Sequence, residues 1–164
     1  MSFLPTGHDM EDGLSDDNRQ RYARHLVLPS VGEEGQIKLI KSSVLVVGAG
    51  GLGSPAMMYL AAAGVGRIGI IDDDFVEESN LQRQIIHSTS SIGDAKAKSA
   101  AERICLLNPE IDVIPMVDRL TESNALSVIK DYDIVIDGTD NFASRYLIGD
   151  VLSLIHISEP TRPY

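Results

Sequence analysis

A single cysteine, Cys105, stands in a chain of 164 residues. That scarcity excludes an intrachain disulfide and any zinc site built from several cysteines of this chain. No apolar run is long enough to cross a bilayer, and the acidic N-terminus lacks the apolar segment of a secretory signal. Positive charge is also scarce: 14 Lys and Arg against 24 Asp and Glu leave a formal net charge of −10. A surface of that sign argues against general nucleic-acid binding and against anionic membranes, and it suits a partner with a basic patch. Internal repeats and low-complexity tracts are absent. What is left, 43% of it hydrophobic, is the composition of one folded domain with a real core, expected in the cytoplasm.

The chain is organised around Val44-Leu45-Val46-Val47-Gly48-Ala49-Gly50-Gly51-Leu52-Gly53. An apolar, mostly β-branched run enters glycines and then a helix-forming segment, the pattern of a buried parallel strand, a tight turn and a helix N-terminus. Such a turn gathers unpaired N–H groups and the positive end of the helix dipole, where phosphate oxygens bind well. Around it, strands and helices alternate. Ser15 caps a helix that begins with Asp16 and Asp17, runs through residue 25 and stops near Pro29. A short helix over 31–40 precedes the first strand. A helix over 54–63 closes at Gly64, and a strand over 67–72 ends in Asp72-Asp73-Asp74. A polar crossover, Ser79-Asn80-Leu81-Gln82-Arg83-Gln84, leads to a helix over 94–107. Strands over 111–117 and 133–137 flank a helix over 122–130, and Thr139-Asp140-Asn141 opens a last helix through Arg145. This order implies a Rossmann-like, doubly wound α/β fold, with a mainly parallel sheet and helices on both faces, preceded by an N-terminal helical segment. Residues 1–13 read as a mobile leader. Residues 152–164, which include His156, closely resemble the translation of a sequencing-library adaptor. They are expected to be non-native, with the natural protein continuing past Val151.

Asp72 ends the second strand roughly twenty residues past the glycines, where a dinucleotide fold holds ribose hydroxyls. To that point a nicotinamide dehydrogenase explains everything. Arg83 and Lys96 follow, and Asp140 stands at the carboxyl end of the fourth strand. Two cations and a carboxylate there suit a triphosphate with Mg²⁺. The same residues also read as surface cations and a helix-capping acid, and spacing does not choose between these readings.

Several ordered motifs resemble the HesA/MoeB/ThiF family, adenylyltransferases related to ubiquitin-activating enzymes. They are Gly48-Ala49-Gly50-Gly51-Leu52-Gly53, Asp72-Asp73-Asp74, Ser79-Asn80-Leu81-Gln82-Arg83-Gln84, Gly93-Asp94-Ala95-Lys96 and Asp137-Gly138-Thr139-Asp140-Asn141. Arg21-Tyr22-Ala23-Arg24-His25 is similar to the family's N-terminal helix, and Ala63-Gly64-Val65-Gly66 to its turn into the second strand. The resemblance implies that residues 14–151 are the N-terminal part of an ATP-binding domain. That domain would adenylate the Gly-Gly tail of a ubiquitin-like sulfur-carrier protein, as a homodimer using ATP and Mg²⁺. The implied nucleotide-binding set is Gly48, Gly50, Gly51, Gly53, Asp72, Asp74, Ser79, Asn80, Arg83, Lys96, Asp140 and Asn141. In it Asp72 holds the ribose, Asn80, Arg83 and Lys96 contact phosphates, and Asp140 holds Mg²⁺. Arg83, Lys96 and Asp140 would carry the chemistry, with Arg24 reaching the ATP of a neighbouring subunit.

The alternatives are an NAD-dependent oxidoreductase domain and an inactive nucleotide-binding fragment. The family's crossover loop, zinc cysteines and nucleophilic cysteine would all lie past Val151. Cys105 is expected to be a buried, unreactive thiol, His25 and His87 surface or loop residues, and Tyr22 and Tyr132 packing residues. Gly149 replaces an asparagine usual in the family and would loosen the last helix.

Overall fold

The structure, a computed structural model, describes residues 13–140 and 142–158; the expected leader, but for Gly13, lies outside them. Four strands, β1 (Ser43–Val47), β2 (Arg67–Ile71), β3 (Asp112–Met116) and β4 (Ile134–Asp137), form one sheet in the order β3-β2-β1-β4. Every pairing is parallel, with Val44 opposite both Ile68 and Ile134. Among the described residues seven α-helices accompany them: α1 (Asp16–Arg21), α2 (Ala23–Leu26), α3 (Gly32–Lys41), α4 (Gly53–Ala63), α5 (Lys96–Leu107), α6 (Ala125–Ile129) and α7 (Phe142–Ser158).

The two-residue period of a strand divides the core. Val44, Val46, Ile68 and Ile70 face Met57 and Ala61 of α4 and Ala97, Ala100 and Ile104 of α5. Leu45, Val47 and Ile71 face the other way, onto Ala125 and Ile129 of α6 and Ile148 and Val151 of α7. Leu45, Ile68, Ile70 and Met57 are fully buried, each worth about 1.5–3 kcal/mol over exposure. Covering both faces explains the continuous apolar runs over 44–47 and 68–71 of the two central strands, interrupted only by Gly69. The doubly wound fold expected from the alternation of elements is the fold observed.

Local differences have local causes. Ser15 Oγ caps α1 by accepting from the Asn18 N–H at 3.2 Å. The helix does not continue to residue 25, however; it breaks at Tyr22. The Tyr22 ring is buried, and its hydroxyl accepts from Asn108 Nδ2 at 2.9 Å. Buried Gln36 of α3 donates from Nε2 to the Ala63 carbonyl at 3.0 Å and meets His25 Nδ1 through Oε1 at 2.8 Å. These bonds dock the leading helices on the end of α4. The last helix is described from Phe142, following the Thr139-Asp140-Asn141 segment expected to open it, and ahead of it the Thr139 N–H and Oγ1 both donate to Asp137 Oδ1, at 2.9 and 2.6 Å, in a turn. It then runs to Ser158, with Leu152 packed against the core.

Cys105 is exposed, contrary to the expected burial. The core face of α5 takes Ala97, Ala100, Ala101 and Ile104, and the next residue, turned by about 100°, faces outward. Among the described residues no helix is long and apolar enough to cross a membrane.

Candidate functional site

β1 empties into the glycine turn at the carboxyl edge of the sheet. Gly48 sits at φ 93°, a left-handed conformation that glycine adopts without strain. Its N–H donates to the Ile71 carbonyl at 2.9 Å, locking the turn onto β2. Gly53 opens α4 directly against this turn, and a Cβ there would collide with the Gly48 carbonyl oxygen. The Gly50 and Gly51 N–H groups have no partner among the described residues.

Beside the turn lies a cavity of about 550 Å³, within the roughly 300–1,000 Å³ usual for ligand sites. Gly48, Gly50, Gly51 and Leu52 form one wall, Asp72, Asp73 and Asp74 the next, and Arg83, Gln84 and Lys96 a third. Asp118, Arg119 and Leu120 follow β3, and Gly138, Thr139 and Asp140 follow β4. The cavity therefore brings together Gly48, Gly50, Gly51, Asp72, Asp74, Arg83, Lys96 and Asp140.

Four candidate residues are not in its wall. Gly53 packs beneath the turn. Ser79 and Asn80 stand behind the cations rather than among them: Ser79 Oγ and Asn80 Nδ2 both donate to Glu77 Oε2 at 3.3 Å. Asn80 Oδ1 accepts from Arg83 Nη2 at 3.3 Å and from Gln84 Nε2 at 3.1 Å. Asn80 thus orients Arg83, whose stem lies over Gly51, 3.4 Å from where a Cβ would sit. Arg24, on α2, is exposed and lies outside this cavity's lining. Asn141 lies outside the described residues.

The acids of the cavity are largely committed. Asp72 accepts from the Ala49 N–H at 2.7 Å and from the Asp74 N–H at 2.8 Å. Asp74 pairs with Lys96 Nζ at 2.9 Å, and Asp73 with Arg119 Nε at 3.1 Å. The three carboxylates lie within 4.8 Å of one another, Asp73 and Asp74 held by cations and Asp72 by amides alone. Arg83 and Asp140, like Asp72 and Asp118, have no oppositely charged partner among the described residues.

Sequence reasoning missed three residues here. Asp118 and Arg119 follow the carboxyl end of β3, so the strand-end rule that found Asp72 and Asp140 would have found them. His87, expected on the surface or in a loop, does sit in a loop but is buried, and its ring bonds to the Ala49 carbonyl and to Ser99. Burial pushes its pKa below the ordinary imidazole value, with the Ala49 hydrogen bond and the Asp72 charge opposing and the Lys96 charge assisting.

Residues 22–154 match the ThiF family. The chain belongs to the ThiF family. It is 54% identical over 154 residues to the adenylyltransferase and sulfurtransferase MOCS3 of Arabidopsis thaliana, covering 94% of this chain and 33% of that protein. It is 51% identical over 131 residues to the SAMP-activating enzyme E1 of Haloferax volcanii, covering 80% and 48%. Among solved structures it resembles the E. coli tRNA N6-threonylcarbamoyladenosine dehydratase TcdA in complex with ATP. The TM-score is 0.77 at 36% identity, over 82% of this chain and 55% of that one. The chain thus spans a third to a half of the length of the curated relatives named here. The family is enzymatic, and its close members are named adenylyltransferases.

Proposed function

We propose that this ThiF-family chain is the nucleotide-binding part of an enzyme that adenylates the C-terminal glycine carboxylate of a ubiquitin-like sulfur-carrier protein. A carboxylate oxygen attacks the α-phosphorus of ATP, the bond to the bridging oxygen breaks, and pyrophosphate leaves with that electron pair. The products are an acyl-adenylate and pyrophosphate. Because an anion attacks an anion, the chief requirement is positive charge placed before the reaction begins.

One observation carries the reading: Arg83, Lys96 and Asp140 meet in one cavity with the unpartnered amides of the glycine turn. Asp72, held by two backbone N–H groups, keeps lone pairs for ribose hydroxyls. Gly50 and Gly51 offer N–H groups to phosphate oxygens, while Arg83 and Lys96 neutralise them. Asp74 and Asn80 hold those two cations in place. Asp140 fits a divalent cation, since it is an exposed carboxylate on the wall with no cationic side chain on it among the described residues. Mg²⁺ there would neutralise phosphate charge.

Arg24, exposed and outside the lining of its own cavity, would serve the nucleotide of a second subunit in a homodimer. The names of the relatives point to the acceptor, one of them being a SAMP-activating enzyme E1. An NAD-dependent oxidoreductase would leave Arg83, Lys96 and Asp140 without work.

The test pairs ligand choice with one substitution. ATP with Mg²⁺ should raise the melting temperature and NAD should not. With a Gly-Gly carrier protein, Lys96→Ala should abolish ATP–pyrophosphate exchange while circular dichroism shows an intact fold. Stabilisation by NAD alone, or exchange unchanged by Lys96→Ala, overturns the reading.

A further inference from the structure

The buried imidazole of His87 has no role in the chemistry above, yet it touches the turn on which that chemistry depends. His87 lies in the loop between the crossover and α5 and is only 8% exposed. Its Nε2 is 3.0 Å from the Ala49 carbonyl oxygen and its Nδ1 is 2.9 Å from Ser99 Oγ. A carbonyl oxygen only accepts, so Nε2 carries the proton. In the neutral ring Nδ1 then presents its lone pair to the Ser99 hydroxyl, which donates. The Ala49 carbonyl therefore fixes the tautomer, and the Ser99 hydroxyl, able to donate or accept, braces the ring by donating to Nδ1.

The Ala49 carbonyl belongs to the same peptide unit as the Gly50 N–H. The peptide is trans, so its C=O and N–H point in opposite directions. Holding the carbonyl inward on His87 turns the Gly50 N–H away from the imidazole, and Gly50 lines the cavity. The preceding peptide is held as well, since the Ala49 N–H donates to Asp72. A closed circuit results: Ser99 to His87, to Ala49, to Asp72, to Asp74, and back to α5 through Lys96.

We propose that His87 is a positioning residue for the nucleotide: donating from Nε2 to the Ala49 carbonyl and braced at Nδ1 by Ser99, it aims the Gly50 N–H at the phosphate oxygens. This rests on the nucleotide reading above and goes beyond it, because it puts the preorganisation of the turn in a side chain that never meets the ligand. Without that bond the Ala49–Gly50 peptide can rotate, and the amide must be re-aimed at the expense of binding.

The ¹⁵N-labelled full chain tests this in two ways, by amide and imidazole resonances without ligand and by calorimetric titration with ATP and Mg²⁺. His87→Leu should shift or broaden the Gly50 and Gly51 amides and weaken ATP binding about tenfold or more. His87→Gln keeps a donor for Ala49 and an acceptor for Ser99, and it should bind within about threefold of the parent. A loss of fold cannot produce that rescue. In Ser99→Ala, which leaves the Ala49 carbonyl in place, the imidazole ¹⁵N shifts should still report the Nε2–H tautomer, with ATP affinity between those of the parent and His87→Leu.

Unchanged Gly50 and Gly51 amides in His87→Leu, or equal losses in the Leu and Gln variants, overturn the proposal. If His87→Leu does not fold, imidazole ¹⁵N shifts that report an Nδ1–H tautomer in the parent chain overturn it instead. A parent chain that ignores ATP refutes the nucleotide reading alone, since the amide resonances still judge His87.

Discussion

The two ends of the same parallel sheet are built on opposite plans. At the amino ends, polar groups close on one another. Asp133 Oδ2 accepts from the Ser43 N–H at 2.8 Å and from Ser43 Oγ at 2.7 Å, while the Asp133 N–H returns a bond to Ser43 Oγ at 3.0 Å. Arg67 pairs with Asp112 at 3.4 Å and lies over the Tyr132 ring, 5.6 Å from its centroid. At the carboxyl ends, Gly50 and Gly51 offer amides that the described residues do not use, and among those residues Arg83 and Asp140 stand without opposite charges. One end fastens β1 to its neighbours. The other withholds hydrogen-bonding capacity from the fold, and a cavity lies there. The difference separates residues that hold the molecule together from residues that await something else, more clearly than burial does.

That contrast can be broken at several points. Gly53→Ala should do the most damage, because the added methyl meets the Gly48 carbonyl. Overpacking of this kind costs about 3 kcal/mol, read as a fall in melting temperature of roughly 10 °C together with weakened ATP binding. Arg83→Ala should spare the melting temperature, since among the described residues the guanidinium bonds only to Asn80 Oδ1, and reduce ATP affinity by about 10–100-fold in calorimetry. Asp133→Ala should do the reverse, lowering the melting temperature by about 2–4 °C with ATP affinity unchanged. The bonds from Ser43 hold the Asp133 carboxyl below its usual range. Its contribution is therefore present above the ordinary carboxylate pKa and lost as pH falls through the depressed folded value.

The smallest effect belongs to His87. Its folded pKa is lowered, chiefly by burial, so below about pH 6.5 the unfolded chain binds the proton more readily. Stability should be full above that value and decline as pH falls towards the folded pKa. The slope of melting temperature against pH between 7 and 5.5 should flatten in His87→Gln.

Much of this was legible in the residues themselves. Apolar runs alternating with helical segments gave the element order, and strand ends following glycine or acidic signals located Asp72 and Asp140. What escaped was set by distant packing. Nothing local marks Tyr22 as the place where a helix breaks; its partners Asn108 and Gly64 lie far along the chain. Cys105 sits between Ile104 and Leu106, and only the face that α5 turns to the sheet decides that Ile104 is inside and Cys105 outside. Asn80 looked like a phosphate ligand, but Glu77, three residues earlier, draws its amide aside. His87 was overlooked because a lone histidine in a polar stretch gives no sign that a loop will bury it against Ala49, 38 positions away.

The pairing of Lys96 with Asp74 has a consequence for how a ligand arrives. Only 8% of the lysine side chain is accessible, so its ammonium shed most of its hydration shell when the domain folded, and an incoming anion has little water left to strip from it. An ammonium carries three protons and Asp74 Oδ2 takes one bond. A phosphate oxygen could share the cation without evicting the carboxylate. Capture and release at that position then become a handover between oxygens, with Asp74 as the permanent keeper of the charge.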